Sequence, residues 1–260
     1  MSNHWNLAES NYAAIQANEY EVAVLPFGAT EPHNLHLPYS TDTLQATIIG
    51  QHICREASSQ GAKVVLLPTL PYGTETNMRA FPFAMNLNPS TMTQIVADLL
   101  DSLVASGVRK VLLLNSHGGN ALKPILRELT HATPAHLFLC EWYNSINDVY
   151  HEIFDQPEDH AGEMETSFGL AYFPDLVATD ESGQLAADAG QKKQTRFTAL
   201  NEGWVSITRP WHLLTTNSGA GDPHAATAAK GQQLMQVLVQ RLSGFLCDLS
   251  ASEIDDRFPF

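Results

Sequence analysis

Basic residues are scarce in this chain. Fourteen Lys and Arg stand against 28 Asp and Glu, a formal net charge of −14 over 260 residues. Charged residues of both signs make up only 16%, against roughly a quarter in an average domain. No Lys/Arg cluster exists to neutralise phosphates, which argues against a nucleic-acid partner. The same sign disfavours anionic membrane surfaces. Cysteine is also sparse. Cys54, Cys140 and Cys247 form no close pair, so neither a zinc knuckle nor a disulfide framework is expected. Each sits in an apolar context and reads as a buried reduced thiol. No run of 18 apolar residues is present, so no transmembrane helix is expected. The opening MSNHWNLAES is polar and acidic, unlike a signal peptide. A soluble cytoplasmic protein is the expectation.

What is present is apolar material, 44% of the chain, enough for a large core and inconsistent with disorder. It comes in short runs: EVAVLPF at 21–27, KVVLL at 63–67, KVLLLN at 110–115 and HLFLC at 136–140. Runs that are apolar throughout suit strands buried on both faces, as in parallel sheets. Between them lie helical patterns at 44–59, 90–106 and 121–129. Ser90 reads as an N-cap and Gly107 as a C′ stop. Asp222-Pro223 reads as N-cap plus N1 proline, opening a last helix over 224–246. Alternating strands and helices predict a three-layer α/β/α fold with a mostly parallel sheet. No repeat or linker divides the chain, so residues 1–260 read as one domain. The small, polar stretch 178–195 reads as a surface loop.

In such sheets ligands sit beyond the carboxyl ends of the strands. The exit of the first strand, GATEPHNLHLPYSTDT at 28–43, carries Glu31, His33, His36 and Asp42. The exit of the third, NSHGGN at 115–120, carries His117. Imidazole and carboxylate at two strand exits suit a divalent ion such as Zn or Mn. Glu31 and His33 are two apart, and in extended chain both point the same way. One carboxylate, that of Asp42, has two oxygens and can bridge two ions; such pairs lie roughly 3.5–4 Å apart. The competing readings are that Asp42 only caps the helix that follows and that His36 is an ordinary loop histidine. HGGN could also cradle a phosphate at a helix N-terminus, but it lacks the G-x-G-x-x-G and Walker patterns. Trp142 and Tyr143 follow the fourth strand and could wall a pocket.

Four blocks carry a resemblance. PFGATEPHNLHLPYSTDT resembles the creatininase family signature P-x-G-[ST]-x-E-Q-H-G-x-H-L-P-x-x-[TV]-D. NSHGGN resembles that family's N-G-H-G-G-N. HAGEMETS, 160–167, resembles H-A-G-x-x-E-T-S, and GAGDPHAATAAKG, 219–231, resembles G-D-P-x-x-A-T-x-x-K-G. The blocks occur in family order across nearly the whole chain. The resemblance implies a binuclear site of two divalent ions per chain, Zn, Mn or Fe. Glu31 and His117 would bind one ion, His33 and Glu165 the other, and Asp42 would bridge. His160 matches the family's acid/base residue. Spacing alone picks neither His160 nor Glu165.

Two departures bear on substrate. The usual Gln-His-Gly-x-His reads Pro32-His33-Asn34-Leu35-His36. A Tyr-Glu pair that acts in creatininase proper is replaced by Gly118 and Gly119, which speaks against creatinine itself. The expectation is an amidohydrolase cleaving a C–N bond of a cyclic amide or formamide-type small molecule. A hydrolase of a sugar- or inositol-derived ring and a non-catalytic metal-dependent binding protein are the alternatives. The resemblance also implies a homo-oligomer, a hexamer among the options.

Overall fold

The structure is a computed structural model, and it describes residues 3–260. Four parallel strands form one sheet: β1 (Val22–Phe27), β2 (Val64–Leu66), β3 (Lys110–Asn115) and β4 (His136–Glu141), in the order β2-β1-β3-β4. These are the four apolar runs of the sequence. Five longer helices connect and cover them: α1 (Thr41–Ser59), α2 (Pro89–Ala105), α3 (Leu122–Leu129), α4 (Glu163–Tyr172) and α5 (Ala228–Ala251).

The pleat sorts side chains onto two faces. Val22, Val24, Leu112 and Leu114 pack with Ile49 and Ile53 of α1, Phe168 of α4 and Leu234 and Leu238 of α5. Ala23, Leu25, Val111 and Leu113 pack with Val96 and Leu100 of α2 and Ile125 of α3. The result is the expected three-layer α/β/α architecture. β1 and β3 are buried throughout, as their continuous apolar runs require. β4 corrects the expectation of full burial. It is an edge strand, half-buried at every position, whereas the other edge, β2, is bridged at Leu66 by the Trp5–Asn6 segment and is buried.

Helix boundaries differ in places. α1 starts at Thr41, so Asp42 sits inside its first turn rather than ahead of it. α2 is capped two residues earlier than expected, by Asn88 rather than Ser90, with Pro89 at N1. Its end is as expected. Gly107 adopts φ +84°, and the N–H groups of Gly107 and Val108 reach the carbonyls of Val104 (2.9 Å) and Leu103 (3.0 Å). That is a Schellman closure, which favours glycine at C′. The start expected at Asp222-Pro223 is not used. Asp222 Oδ1 instead takes the His224 backbone N–H at 3.0 Å, forming a turn. α5 begins at Ala228, capped by the Thr227 hydroxyl accepting from Lys230 N–H. It runs on to Ala251 because Leu246 and Leu249 are still buried on the core side.

Among the described residues no helix is long and apolar enough to cross a membrane. All three cysteines are free, with Cys54 buried and the others half-buried; burial pushes each thiol's pKa up. The 178–195 stretch is largely irregular, yet Gly190 exchanges backbone hydrogen bonds with Gly221 (2.7 and 3.1 Å).

The strand order matters for the site. β1 pairs with β3 from Val22↔Lys110 to Phe27↔Asn115, so both strands end side by side. Their connections leave in opposite directions, toward β2 and toward β4. This is the switch point where open α/β sheets leave a crevice.

Candidate metal centre

Six side chains meet in that crevice. Glu31 and His33 stand on the loop leaving β1, and Asp42 on the first turn of α1. His117 stands on the loop leaving β3. His160 precedes α4, and Glu165 lies in its first turn. All are buried. Asp42 Oδ1 lies 3.3 Å from His33 Nε2, and its Oδ2 lies 3.1 Å from His117 Nδ1. Glu31 Oε1 lies 3.0 Å from His117 Nδ1 and 4.0 Å from His33 Nε2. Glu165 Oε1 lies 4.0 Å from His33 Nε2. Donor atoms of Glu31, Asp42 and His117 fall within 4.8 Å of one another; so do those of His33, Asp42 and Glu165, and of Glu31, His33 and His160. The structure thus brings together all six residues expected to hold metal or move protons.

Backbone contacts fix the ring orientations. His33 Nδ1–H donates to the Glu31 carbonyl at 3.1 Å, which leaves Nε2 facing Asp42. His160 Nε2–H donates to the Pro32 carbonyl at 2.9 Å, leaving Nδ1 toward Glu31 at 3.7 Å. Asn34 stands where the signature has glycine and holds φ +54°, a region Asn tolerates. The fourth block braces His160. Ala220 pairs antiparallel with it, N–H to carbonyl at 2.8 and 3.1 Å. His36 turns away, its Nε2 2.7 Å from Thr166 Oγ1 on α4.

The electrostatics are those of acids and imidazoles crowded together in a buried space. Burial pushes Glu31 up to about 8, and it also raises Glu165. Burial opposes charge on His33, but Asp42, Glu165 and Glu31 outweigh it and bring it up to about 10. His117 is held well above its ordinary value in the same way, chiefly by Glu31 and Glu75 against burial. Burial pulls Asp42 upward, yet His33 and His117 outweigh it and hold it well below the usual range. Burial and then His33 push His160 down to about 3. Among the described residues the one buried Lys or Arg is Lys110, which is bound to Glu21 and the Ser252 carbonyl. Two divalent cations would balance Glu31, Asp42, Glu75 and Glu165 with every histidine neutral, and Asp42 Oδ2 is buried with no hydrogen-bond donor. The donor set fits divalent metal binding.

Two acids escaped the sequence reading. Glu75, 1% exposed, follows β2 in GTETN and lies 2.8 Å from His117 Nε2. Applying the strand-exit rule to β2 would have found it. Glu158 accepts the N–H groups of Met164 (2.6 Å) and Glu165 (3.3 Å), steadying the start of α4; no sequence signal separates it from a loop acid.

A cavity of about 310 Å³ opens over the cluster, walled by Trp142, Tyr143, Tyr150 and Met164. A second, of about 270 Å³, adjoins it past His117 and reaches Arg209 and Trp211. A groove of about 630 Å³ between α1 and α5 contains none of these residues. Trp142 is also core, 1% exposed, with Nε1–H donating to Ser116 Oγ at 2.8 Å. Trp211 sets its edge on His160 at 5.2 Å, while Trp204 is exposed.

A family model described as Creatininase, creatinine amidohydrolase, matches residues 7–246. The chain belongs to the creatininase family. Creatininase-family relatives include a mycofactocin precursor peptide peptidase of Mycobacterium ulcerans, 26% identical over 223 residues, 83% of this chain and 80% of that one. The creatinine amidohydrolase of Pseudomonas putida is 28% identical over 181 residues, 61% and 67% of the two chains. A crystal structure of a Bacteroides fragilis protein named for creatinine amidohydrolase superposes with a TM-score of 0.87 at 32% identity, covering 98% and 100%. A manganese form of creatininase aligns over 95% of this chain and 99% of its own with a TM-score of 0.76; at 21% identity that is a likeness of fold. The creatininase-type chain is thus a member of a family of hydrolases that act on amide-type bonds.

Proposed function

We propose that this creatininase-family chain is a two-metal amidohydrolase that cleaves a C–N bond of a small molecule, a cyclic amide or a formamide. The observation that carries the reading is Asp42, whose two oxygens face two different imidazoles. Glu31 and His117 would hold one ion, His33 and Glu165 the other, and Asp42 both. Zn, Mn and Fe all suit this thiol-free donor set. Bound ions would supply an activated water at neutral pH and Lewis acidity at the scissile carbonyl.

The chain's own residues do the rest. His160 offers Nδ1 and acts first as a base, taking a proton from the attacking water. It then returns that proton to the departing nitrogen. Pro32 holds its tautomer through Nε2–H. Trp142 and Tyr143 wall the substrate side. Gly118 and Gly119 offer neither the aromatic nor the carboxylate of creatininase proper, which disfavours creatinine. Open space at Gly118 supports a second reading, a longer amide such as a peptide end. We also assign the chemistry to one domain and to a homo-oligomeric enzyme.

The test is elemental analysis of purified protein with an activity panel of formamides, cyclic amides and peptides. Two equivalents of Zn, Mn or Fe per chain are expected, with activity lost on chelation and restored by metal. Near-zero metal with no uptake on reconstitution overturns the reading.

A further inference from the structure

His117 faces two ways. Its Nδ1 points to Glu31 and Asp42, and its Nε2 points out of the cluster, into a space made by Glu75, Thr74 and Gly119. The Nε2–H donates to the Thr74 carbonyl at 3.4 Å, and Glu75 Oε1 lies 2.8 Å from the same nitrogen. The Glu75 contact lies off the axis of the Nε2–H bond, so neither carboxylate oxygen has a hydrogen-bond donor. A carboxylate 1% exposed, with both oxygens unpartnered, is unfavourable unless it serves a neighbouring charge.

The glycine beside His117 makes this geometry available. A Cβ built on Gly119 would lie 2.2 Å from His117 Nε2 and 2.7 Å from the Thr74 carbonyl. No side chain fits at 119 with the ring in this position. Glu75 and Gly119 are therefore two parts of one arrangement: one leaves the room, the other fills it with negative charge.

We propose that Glu75 is a positioning residue that orients His117 and strengthens Nδ1 as a metal donor. The Thr74 carbonyl sets the tautomer, and a carboxylate beside the far nitrogen raises the basicity of the near one. The inference rests on the metal reading above, and it concerns one ion position only. The His33 ring is held by the Glu31 carbonyl and does not meet Glu75.

The experiment is calorimetric titration of metal-free wild type, Glu75→Gln and Glu75→Ala with Zn²⁺ and Mn²⁺, with circular dichroism melts of the metal-free proteins. Glu75→Gln keeps shape and removes charge. One of the two binding steps is expected to weaken about 10–100-fold in Glu75→Gln and further in Glu75→Ala, with stoichiometry retained at saturation. The Nε2–H proton of His117 in the zinc-loaded wild type is expected downfield by NMR, and shifted upfield in Glu75→Gln. Affinities within twofold of wild type overturn the proposal. Equal weakening of both steps also overturns it, in favour of a packing role. Loss of one equivalent at saturating metal overturns it too, making Glu75 a ligand. Should either variant fail to fold, absence of the downfield wild-type proton decides against it. Wild type that binds no metal defeats the two-metal reading itself, a different result from wild type and variants binding alike.

Discussion

Asp42 gives one carboxylate oxygen to each of two imidazoles, Oδ1 at 3.3 Å from His33 Nε2 and Oδ2 at 3.1 Å from His117 Nδ1. A residue that only capped α1 would turn its oxygens to the backbone N–H groups of the first turn. Asp42 lies within that turn and spends both oxygens on the cluster. Removing it should therefore empty the centre. Asp42→Ala is expected to purify with less than a tenth of wild-type metal at both positions. Plasma mass spectrometry reads this, and full occupancy would end the bridging assignment.

Gly119 tests the room beside His117. A methyl group there would meet the ring at 2.2 Å, so Gly119→Ala must push the imidazole off its present line. Activity should fall at least tenfold. At Gly118 a Cβ would meet nothing within 4 Å, so alanine should be accepted there with a change under about threefold. Equal tolerance at the two positions, measured by kcat/KM on the best substrate of the panel, would contradict the geometry.

His160 sits close enough to Glu31 and His33 to be mistaken for a ligand. Its Nδ1 is 3.7 Å from Glu31 Oε1, and its assigned task is proton transfer. His160→Gln should lower kcat by about 10²–10⁴ with metal content unchanged. A variant that loses one equivalent of metal along with activity would move His160 into the ligand set.

His36 carries a pH prediction. Burial, then the charges of His33 and His224, push its pKa down from 6.5 to about 4. The unfolded chain binds a proton below pH 6.5 that the folded chain refuses until about 4. The folded-state advantage is thus complete above 6.5 and lost as pH falls through that window, at up to roughly 1.4 kcal/mol per pH unit. Urea unfolding of metal-free wild type and His36→Gln at pH 7, 6 and 5 should show a shallower decline in the variant. Parallel declines would show that His36 does not titrate in this way.

The elements were legible for a simple reason. A parallel strand buried on both faces must be apolar at every position, so EVAVLPF and KVLLLN stood out without knowledge of their partners. The strand-exit rule then led to Glu31, His33, Asp42 and His117. The end of α2 was legible because Gly107 meets a local backbone need. The start of α5 was not, since Asp222 and Thr227 are both good caps and the choice between them depends on what Lys230 and Asp222 each reach in the fold. Lys230 Nζ bonds Asp155 at 2.7 Å and also pairs with the buried Glu163, which ties the start of α5 to the loop before α4.

The sequence by itself determined the α/β alternation, the four strands and the donor types of the centre, because these depend on neighbours within a few residues. It did not determine that β4 would be half-exposed or that Glu75 would stand behind His117, and it reached His160 and Glu165 only through the family resemblance, since no local spacing shows them arriving beside a loop far earlier in the chain. Those follow from the order β2-β1-β3-β4 and from α4 and α5 packing on one face of the sheet. Contacts of that range are fixed by burying the whole apolar surface together, and no local pattern carries them.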